Sequence, residues 1–252
     1  NLREAVEACA RHGITAVDPW RDQVAALGLD ESVRVIKANG MRVTGYCRGG
    51  MFPAADAAGR LAAIDDNKRA IDEAAALGAE CLVLVAGGLP KGSRDIDAAR
   101  QMVMEGLLTI LPHAKACGVP LAIEPLHPMY AGDRACVNTL AQALDLCDLL
   151  GDGTGVAIDT YHVWWDPALA AQIARAGATN RILAYHICDW LVPTRDLLTD
   201  RLPRAIKAAP SRCGDFGEID RHPAELRAGR QSLQQSPRHD EDRRRQSDRR
   251  VT

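Results

Sequence analysis

The stretch VAIDTYHVWWDP, residues 156–167, joins a short apolar run to a polar and aromatic loop. The apolar run at 156–158 has the length and composition of the end of a strand that is buried on both faces. Asp159 stands where such a strand would end, and His162 follows three residues later. The stretch therefore predicts a buried strand whose carboxyl end presents chemically active side chains to a loop.

The same pattern recurs along the chain, with helices between the strands. Strands are predicted in ITAVDPW, MRVTGYC, CLVLVAGG, VPLAIEPLHP, TGVAIDTYHVWWDP and RILAYHICDW. Helices are predicted over 2–12, 22–39, 57–77, 95–117, from a capping box at Thr139, and over 168–176. Apolar strands that alternate with helices form parallel sheets covered by helices. No phosphate-binding glycine motif follows a strand, which disfavours an open doubly wound sheet and favours an α/β fold of the TIM (β/α)8 type.

Three consecutive predicted strands end in residue types that bind metals: Glu124, Asp159 and His186. Each follows an alanine by two residues, so the alanine and the candidate ligand point to the same face of the strand. The alanines are Ala122, Ala157 and Ala184, and the opposite face carries Ile123, Ile158 and Tyr185. Alone, each polar residue reads as a capping carboxylate or a core histidine. Together they predict one divalent ion, Mn²⁺, Mg²⁺, Zn²⁺ or Co²⁺, at a barrel mouth.

Other polar and aromatic side chains near the predicted strand ends are candidates for binding a substrate. They are His162, His127, Trp165, Arg48, Asp189 and Arg195. A loop histidine also caps turns, a tryptophan also fills a core or rim, and an arginine is usually solvated, so these alternatives stay open.

Composition limits the function classes. The 252 residues are 47% hydrophobic and 25% charged with a net charge of -2, which gives a core but no general attraction to nucleic acid. The eight cysteines form no C-x-x-C pair. We therefore expect reduced thiols, no disulfide framework, no signal peptide and no membrane span, and hence a cytoplasmic protein.

The motifs AIEPLHP, IDTYHVWW and HICDW closely resemble those of the sugar phosphate isomerase/epimerase superfamily with the xylose-isomerase-like barrel. The superfamily includes ketose 3-epimerases, hydroxypyruvate isomerases, inosose dehydratases and, more distantly, endonuclease IV. The resemblance covers residues 1 to about 200. It implies that Glu124, Asp159 and His186 bind one divalent ion and that His162 contacts the substrate. A glutamate on the eighth strand would complete the site.

The sequence departs from the family pattern at both ends. The first strand is missing, and the helix and closing eighth strand expected after Asp200 are absent, so the barrel is expected to be incomplete. Residues 201–252 are polar and arginine-rich, and we predict a disordered or frameshifted tail there. The gap would leave two unpaired strand edges, which also allows a homo-oligomer.

The resemblance implies proton transfer through an enediolate, in which Glu124 removes the proton alpha to a carbonyl of a small sugar, polyol or keto-acid. The expected activity is that of an isomerase or epimerase, impaired if the chain is truncated. Three alternatives stay open: an inosose-dehydratase-like lyase, an endonuclease IV-like nuclease and a non-catalytic barrel remnant. The nuclease would need additional histidines on earlier strands, and ITAVDPW, MRVTGYC and CLVLVAGG contain none.

Overall fold

Parallel strands and helices alternate along residues 1–187, the part of the chain that the computed structural model describes. The helices are α1 (Leu2–Arg11), α2 (Arg21–Leu27), α3 (Leu29–Ala38), α4 (Ala57–Leu77), α5 (Ile96–Cys117), α6 (Leu140–Leu150), α7 (Thr160–Val163) and α8 (Leu169–Ala178). The strands are β1 (Ala16–Val17), β2 (Arg42–Val43), β3 (Tyr46–Gly50), β4 (Leu82–Val85), β5 (Leu121–Glu124), β6 (Thr154–Asp159) and β7 (Ile182–His186). A 3-10 helix spans Pro128–Tyr130. This order confirms the predicted α/β fold.

The strands form a parallel wall in chain order. Strands β3 to β7 make one sheet in the order β3-β4-β5-β6-β7, and β1 pairs with β2 in a second sheet. Isolated parallel bridges, Trp20 with Cys47 and Val43 with Ala79, continue the wall between the two sheets. Neighbouring strands that follow one another in sequence and are joined by helices are the wall of a β/α barrel.

The predicted strand MRVTGYC is wrong as a single element, since it is split into β2 and β3. The two halves pair with different neighbours, β2 with β1 and β3 with β4. Gly45 lies between them, and a Cβ atom there would be 2.6 Å from Asp18 Oδ2. The break therefore coincides with a place where the backbone passes closely under an acidic side chain.

Side chains on the two faces of the sheet differ in size, as the alternation of residues along each strand predicts. On the inward face, Ala122, Ala157 and Ala184 pack with Cys47, Cys81 and Val83, and Leu183 is partly buried against this cluster. The outward face carries Ile123, Ile158 and Tyr185, which belong to the large core between the strands and the helices. Both halves of the predicted alternation are confirmed.

Helix ends follow local sequence, with two corrections. The predicted capping box is present, because the Gln142 N–H donates to Thr139 Oγ1 over 3.2 Å and Gln142 Oε1 accepts from the Thr139 N–H. The predicted helix over 22–39 is wrong as one element, since Gly28 breaks it at a φ of 92° into α2 and α3. Helix α7 and the 3-10 helix were not predicted, because a single turn is too short to show a helical period.

Some predictions lie outside the described residues. The absent eighth strand, the tail over 201–252 and the domain boundary at residue 200 all concern that part of the chain. The missing first strand likewise stays a prediction. Within residues 1–187, no helix combines the length and the apolar character that a membrane crossing requires.

The carboxyl end of β3 is fixed by a buried asparagine from α4. Asn67 Oδ1 accepts from the Gly50 N–H over 2.6 Å, and Asn67 Nδ2 donates to the Gly50 carbonyl over 2.7 Å. A Cβ atom on Gly49 would lie 2.7 Å from Asn67 Oδ1, so the glycine lets the helix approach. One side chain thus satisfies two buried backbone groups at the strand end.

We predict that Asn67→Ala lowers the free energy of unfolding by about 2–6 kcal/mol, because it leaves two buried backbone groups unpaired and each costs about 1–3 kcal/mol. Urea unfolding followed by circular dichroism measures the loss. Asn39→Ala is the matched control, since Asn39 makes one local hydrogen bond to the Val35 carbonyl and should cost about 1 kcal/mol or less. Equal losses in the two variants would contradict the role given to Asn67.

Candidate metal centre

The three predicted ligands meet at one end of the wall. Glu124 is the last residue of β5, Asp159 the last of β6 and His186 the last of β7. Their ligand atoms all lie within 4.8 Å of one another, and Asp159 is paired in register with His186. Glu124 is only 6% exposed, and the other two side chains are partly buried. The strand ends therefore gather two carboxylates and one imidazole at the carboxyl mouth.

His186 contacts two acids, one of which was not predicted. Its Nδ1 lies 3.1 Å from Glu124 Oε1, and its Nε2 lies 3.2 Å from Asp18 Oδ2. Asp18 follows β1 directly, two residues after Ala16. This is the same spacing of alanine and polar residue that marks Glu124, so the sequence held a signal for Asp18 that the prediction did not use.

The charges of these groups depend on one another. Hydrogen bonds to Asp18 and then to Glu124 raise the pKa of His186 from 6.5 to about 10, so the imidazole is protonated at neutral pH. Burial raises the pKa of Asp159, although the Tyr161 N–H donates to its Oδ1 over 2.8 Å and opposes that effect. The other oxygen of Asp18 is buried without a hydrogen-bond partner among the described residues. The mouth thus holds three acids around a single cationic ring.

This donor set fits a divalent cation. Adjacent ligands held by bonds of about 2.1 Å lie about 3 Å apart, which is close to the separation between His186 Nδ1 and Glu124 Oε1. Carboxylate and imidazole donors suit Mn²⁺, Zn²⁺ or Co²⁺. A histidine that binds a metal through one nitrogen commonly donates its other N–H to a carboxylate, and Asp18 lies in that position. A cation would also offset the surplus of negative charge.

The predicted substrate residues His127, His162 and Trp165 lie together beside the three ligands. His162 Nδ1 accepts from the His127 N–H over 3.4 Å, and Trp165 Nε1 donates to the His162 carbonyl over 2.9 Å. The rings of His127 and Trp165 are 5.8 Å apart and edge to face. Burial lowers the pKa of His162, so its imidazole is neutral at pH 7. We call these three residues the rim.

The remaining predicted substrate residues are placed differently. Arg48 is exposed on β3 and lines an open cleft of about 660 Å³ beside α2. Trp20, Arg21 and Met51 also line the cleft, whereas no rim residue does. Asp189 and Arg195 lie outside the described residues. Arg48 thus lines this cleft, and its role in binding a substrate, like those of the other two, stays a prediction.

We predict that the contribution of His186 to stability decreases as pH rises. A raised pKa in the folded state stabilises the protein fully below the unfolded value near 6.5, and the effect is lost as pH rises through about 10. The difference in unfolding free energy between wild type and His186→Gln should therefore shrink over this range. Urea unfolding in the presence of a chelator measures it, and a difference that stays constant with pH would contradict the charge assignment.

Comparisons with known proteins show the family and the fold. A family model described as a xylose isomerase-like TIM barrel matches residues 6–222. The crystal structure of protein SMc04130 from Sinorhizobium meliloti 1021 is 72% identical, with a TM-score of 0.76 over 80% of this chain and 73% of that one. No curated protein matches the chain significantly.

Two solved structures of low sequence identity share the fold. The 3-keto-D-glucoside 4-epimerase YcjR from E. coli is 22% identical, with a TM-score of 0.63 over 75% of this chain and 74% of that one. The IolI protein with a bound zinc atom is 20% identical, with a TM-score of 0.62 over 75% of this chain and 68% of that one.

Proposed function

Because the chain belongs to the xylose isomerase-like TIM barrel family, we propose that it is a divalent-metal-dependent isomerase or epimerase of a small sugar, polyol or keto-acid. One observation carries the proposal: Glu124, Asp159 and His186 place their ligand atoms within 4.8 Å of one another at the carboxyl mouth. Chemistry in β/α barrels is found at this end of the strands. That an epimerase and a zinc-binding protein share the fold is consistent with the proposal.

Glu124, Asp159 and His186 would hold the ion. When bound, a divalent cation supplies Lewis-acid stabilisation to a substrate carbonyl and an adjacent hydroxyl. Asp18 acts as a positioning residue, since it accepts from Nε2 of His186 and so directs Nδ1 towards the ligand position. The alanines beneath the mouth leave room for these side chains to turn inward.

Glu124 is the candidate base, and its carboxylate takes the proton alpha to the substrate carbonyl. The electron pair of that C–H bond forms the enediolate, whose charge is shared with the carbonyl oxygen. If Glu124 returns the proton to the former carbonyl carbon, and the proton of the adjacent hydroxyl passes to the former carbonyl oxygen, the reaction is an isomerisation. Epimerisation needs a second acid on the opposite face, and the glutamate that the family resemblance implies for this role lies outside the described residues.

The rim orients the substrate. Because Nδ1 of His162 accepts from the His127 N–H, Nε2 of the neutral ring carries the proton and donates to a substrate hydroxyl. Trp165 presents part of its ring beside His127, where it can pack against the C–H face of a sugar. The rim therefore favours a polyhydroxylated substrate.

Two of the alternatives from the sequence can be separated from this proposal. A lyase would use the same first proton transfer and then expel a hydroxyl, so its product identifies it. A nuclease of the endonuclease IV kind needs more histidines, and the described strands β1 to β4 end without one. The residues at or directly after those ends are Asp18, Val43, Gly50 and Val85.

The proposal places the enzyme in the cytoplasm with a small-molecule substrate and without nucleic acid. All six cysteines within residues 1–187 are free thiols, as expected in a reducing compartment. The net charge of -2 gives no general attraction to nucleic acid.

The test of the reaction is exchange of a substrate α-proton with deuterated solvent, followed by NMR on a panel of free and phosphorylated ketoses. We expect wild-type exchange to require added Mn²⁺ or Co²⁺. Glu124→Gln should slow it by about 10²–10⁴-fold, because the general base is lost. Glu105→Gln, a change on the exposed side of α5, is the control and should leave the exchange unchanged. Exchange that needs no metal, or that survives Glu124→Gln, would refute the mechanism.

Asp18→Asn tests the positioning role. The change keeps the size of the side chain but removes its charge, so we expect the affinity for Mn²⁺ to fall by about 10–100-fold. Isothermal titration of the metal-free protein measures it without reference to activity. Asp22→Asn is the control, since Asp22 is exposed in the first turn of α2. Equal affinity in wild type and Asp18→Asn would show that Asp18 does not position His186.

A further inference from the structure

A second group of metal-binding side chains lies between two helices. Asp72 belongs to α4, and His113 and Cys117 belong to α5. His113 and Cys117 are four residues apart and therefore share one face of their helix. The side chain of Asp72 is 60% exposed and that of His113 is 34% exposed, so solvent and ions reach the cluster. The proposed function uses none of these three residues.

The distances within this cluster match those of a tetrahedral zinc site. Bonds of about 2.0–2.3 Å to oxygen, nitrogen and sulfur separate tetrahedral ligand atoms by about 3.3–3.6 Å. Cys117 Sγ lies 3.8 Å from His113 Nε2 and 3.7 Å from Asp72 Oδ1. His113 Nε2 and Asp72 Oδ1 are 2.7 Å apart, a hydrogen bond that would have to lengthen by roughly half an ångström. All three ligand atoms thus lie within 3.8 Å of one another.

The same geometry argues against a nucleophilic triad. In such a triad the nucleophile and the carboxylate contact different nitrogens of the imidazole. Here both Asp72 and Cys117 contact Nε2 of His113. Burial and the neighbouring Asp72 also raise the pKa of Cys117, which keeps the thiol protonated rather than activated. Because Asp72 and Cys117 both contact Nε2 of His113, the three side chains are better suited to bind one ion together than to act as a nucleophilic triad.

We propose that Asp72, His113 and Cys117 form a second metal site, which binds Zn²⁺ or Co²⁺ and links α4 to α5. A solvent molecule would complete the tetrahedron. Binding releases the thiol proton of Cys117 to solvent and replaces the hydrogen bond between His113 and Asp72 with two bonds to the ion. The thiolate selects Zn²⁺ and Co²⁺ over Mn²⁺ and Mg²⁺, which distinguishes this site from the oxygen-rich mouth.

The test is titration of the full-length, metal-free protein with Co²⁺, read by absorption. A thiolate ligand produces a charge-transfer band in the near ultraviolet that carboxylate and imidazole ligands do not. We expect wild type to show the band and Cys117→Ser to lose it. His113→Asn should weaken the Co²⁺ affinity measured from this band by more than about tenfold. Loss of a residue that only hydrogen-bonds to a metal ligand already lowers metal affinity by about that factor, and His113 would be a ligand itself.

Two controls make the outcome specific. Cys9→Ser changes a partly exposed thiol on α1 and should retain the band. Asp159→Asn removes a ligand of the mouth and should also retain it, so failure of the proposed function and failure of this site are distinguishable. No band in wild type, a band that survives Cys117→Ser, or its loss in Cys9→Ser would overturn the proposal.

Discussion

The pair of hydrogen bonds made by His186 holds the mouth of the barrel together. One reaches Glu124 on β5, and the other reaches Asp18 beyond β1, a residue 168 positions away in the chain. Strands β1 and β7 belong to different sheets, so this contact joins them through side chains. Charge strengthens both bonds, because the two acids favour the protonated ring. Under the proposed function, His186 Nδ1 and Glu124 would bind the ion in place of their mutual hydrogen bond, whereas the contact between His186 Nε2 and Asp18 would remain.

The residues beneath the mouth fix the direction in which the three candidate ligands point. Ala122, Ala157 and Ala184 are the small inward residues two positions before the three candidate ligands. The opposite face of each strand is occupied by large apolar side chains of the main core. A shift of one residue in any of these strands would exchange the two faces, burying a charge against the helices. Packing of the outer core therefore keeps the three candidate ligands directed towards the mouth.

Much of this arrangement could be predicted because it repeats at short range. The period of two placed the alanines, the ligands and the outward residues, and the helix-strand alternation gave the fold. Asp18 was missed although Ala16 precedes it at the same spacing, because β1 is not one of the three consecutive strands on which the prediction was based. The break between β2 and β3 and the meeting of Asp72 with His113 and Cys117 depend on contacts between elements. No local pattern reports such contacts.

Gly45 has a consequence for how this family varies over evolution. A side chain there would force the carboxylate of Asp18 to move away from its position beside His186, since its nearest atom is 2.6 Å from the added Cβ. The absence of a side chain at position 45 is thus linked to the acid that contacts His186. In an alignment of relatives, the two positions should change together: chains that gain a side chain at position 45 should have lost the acid at position 18. In the sequences of distant relatives, a glycine at position 45 would then indicate that the histidine still has its acidic partner.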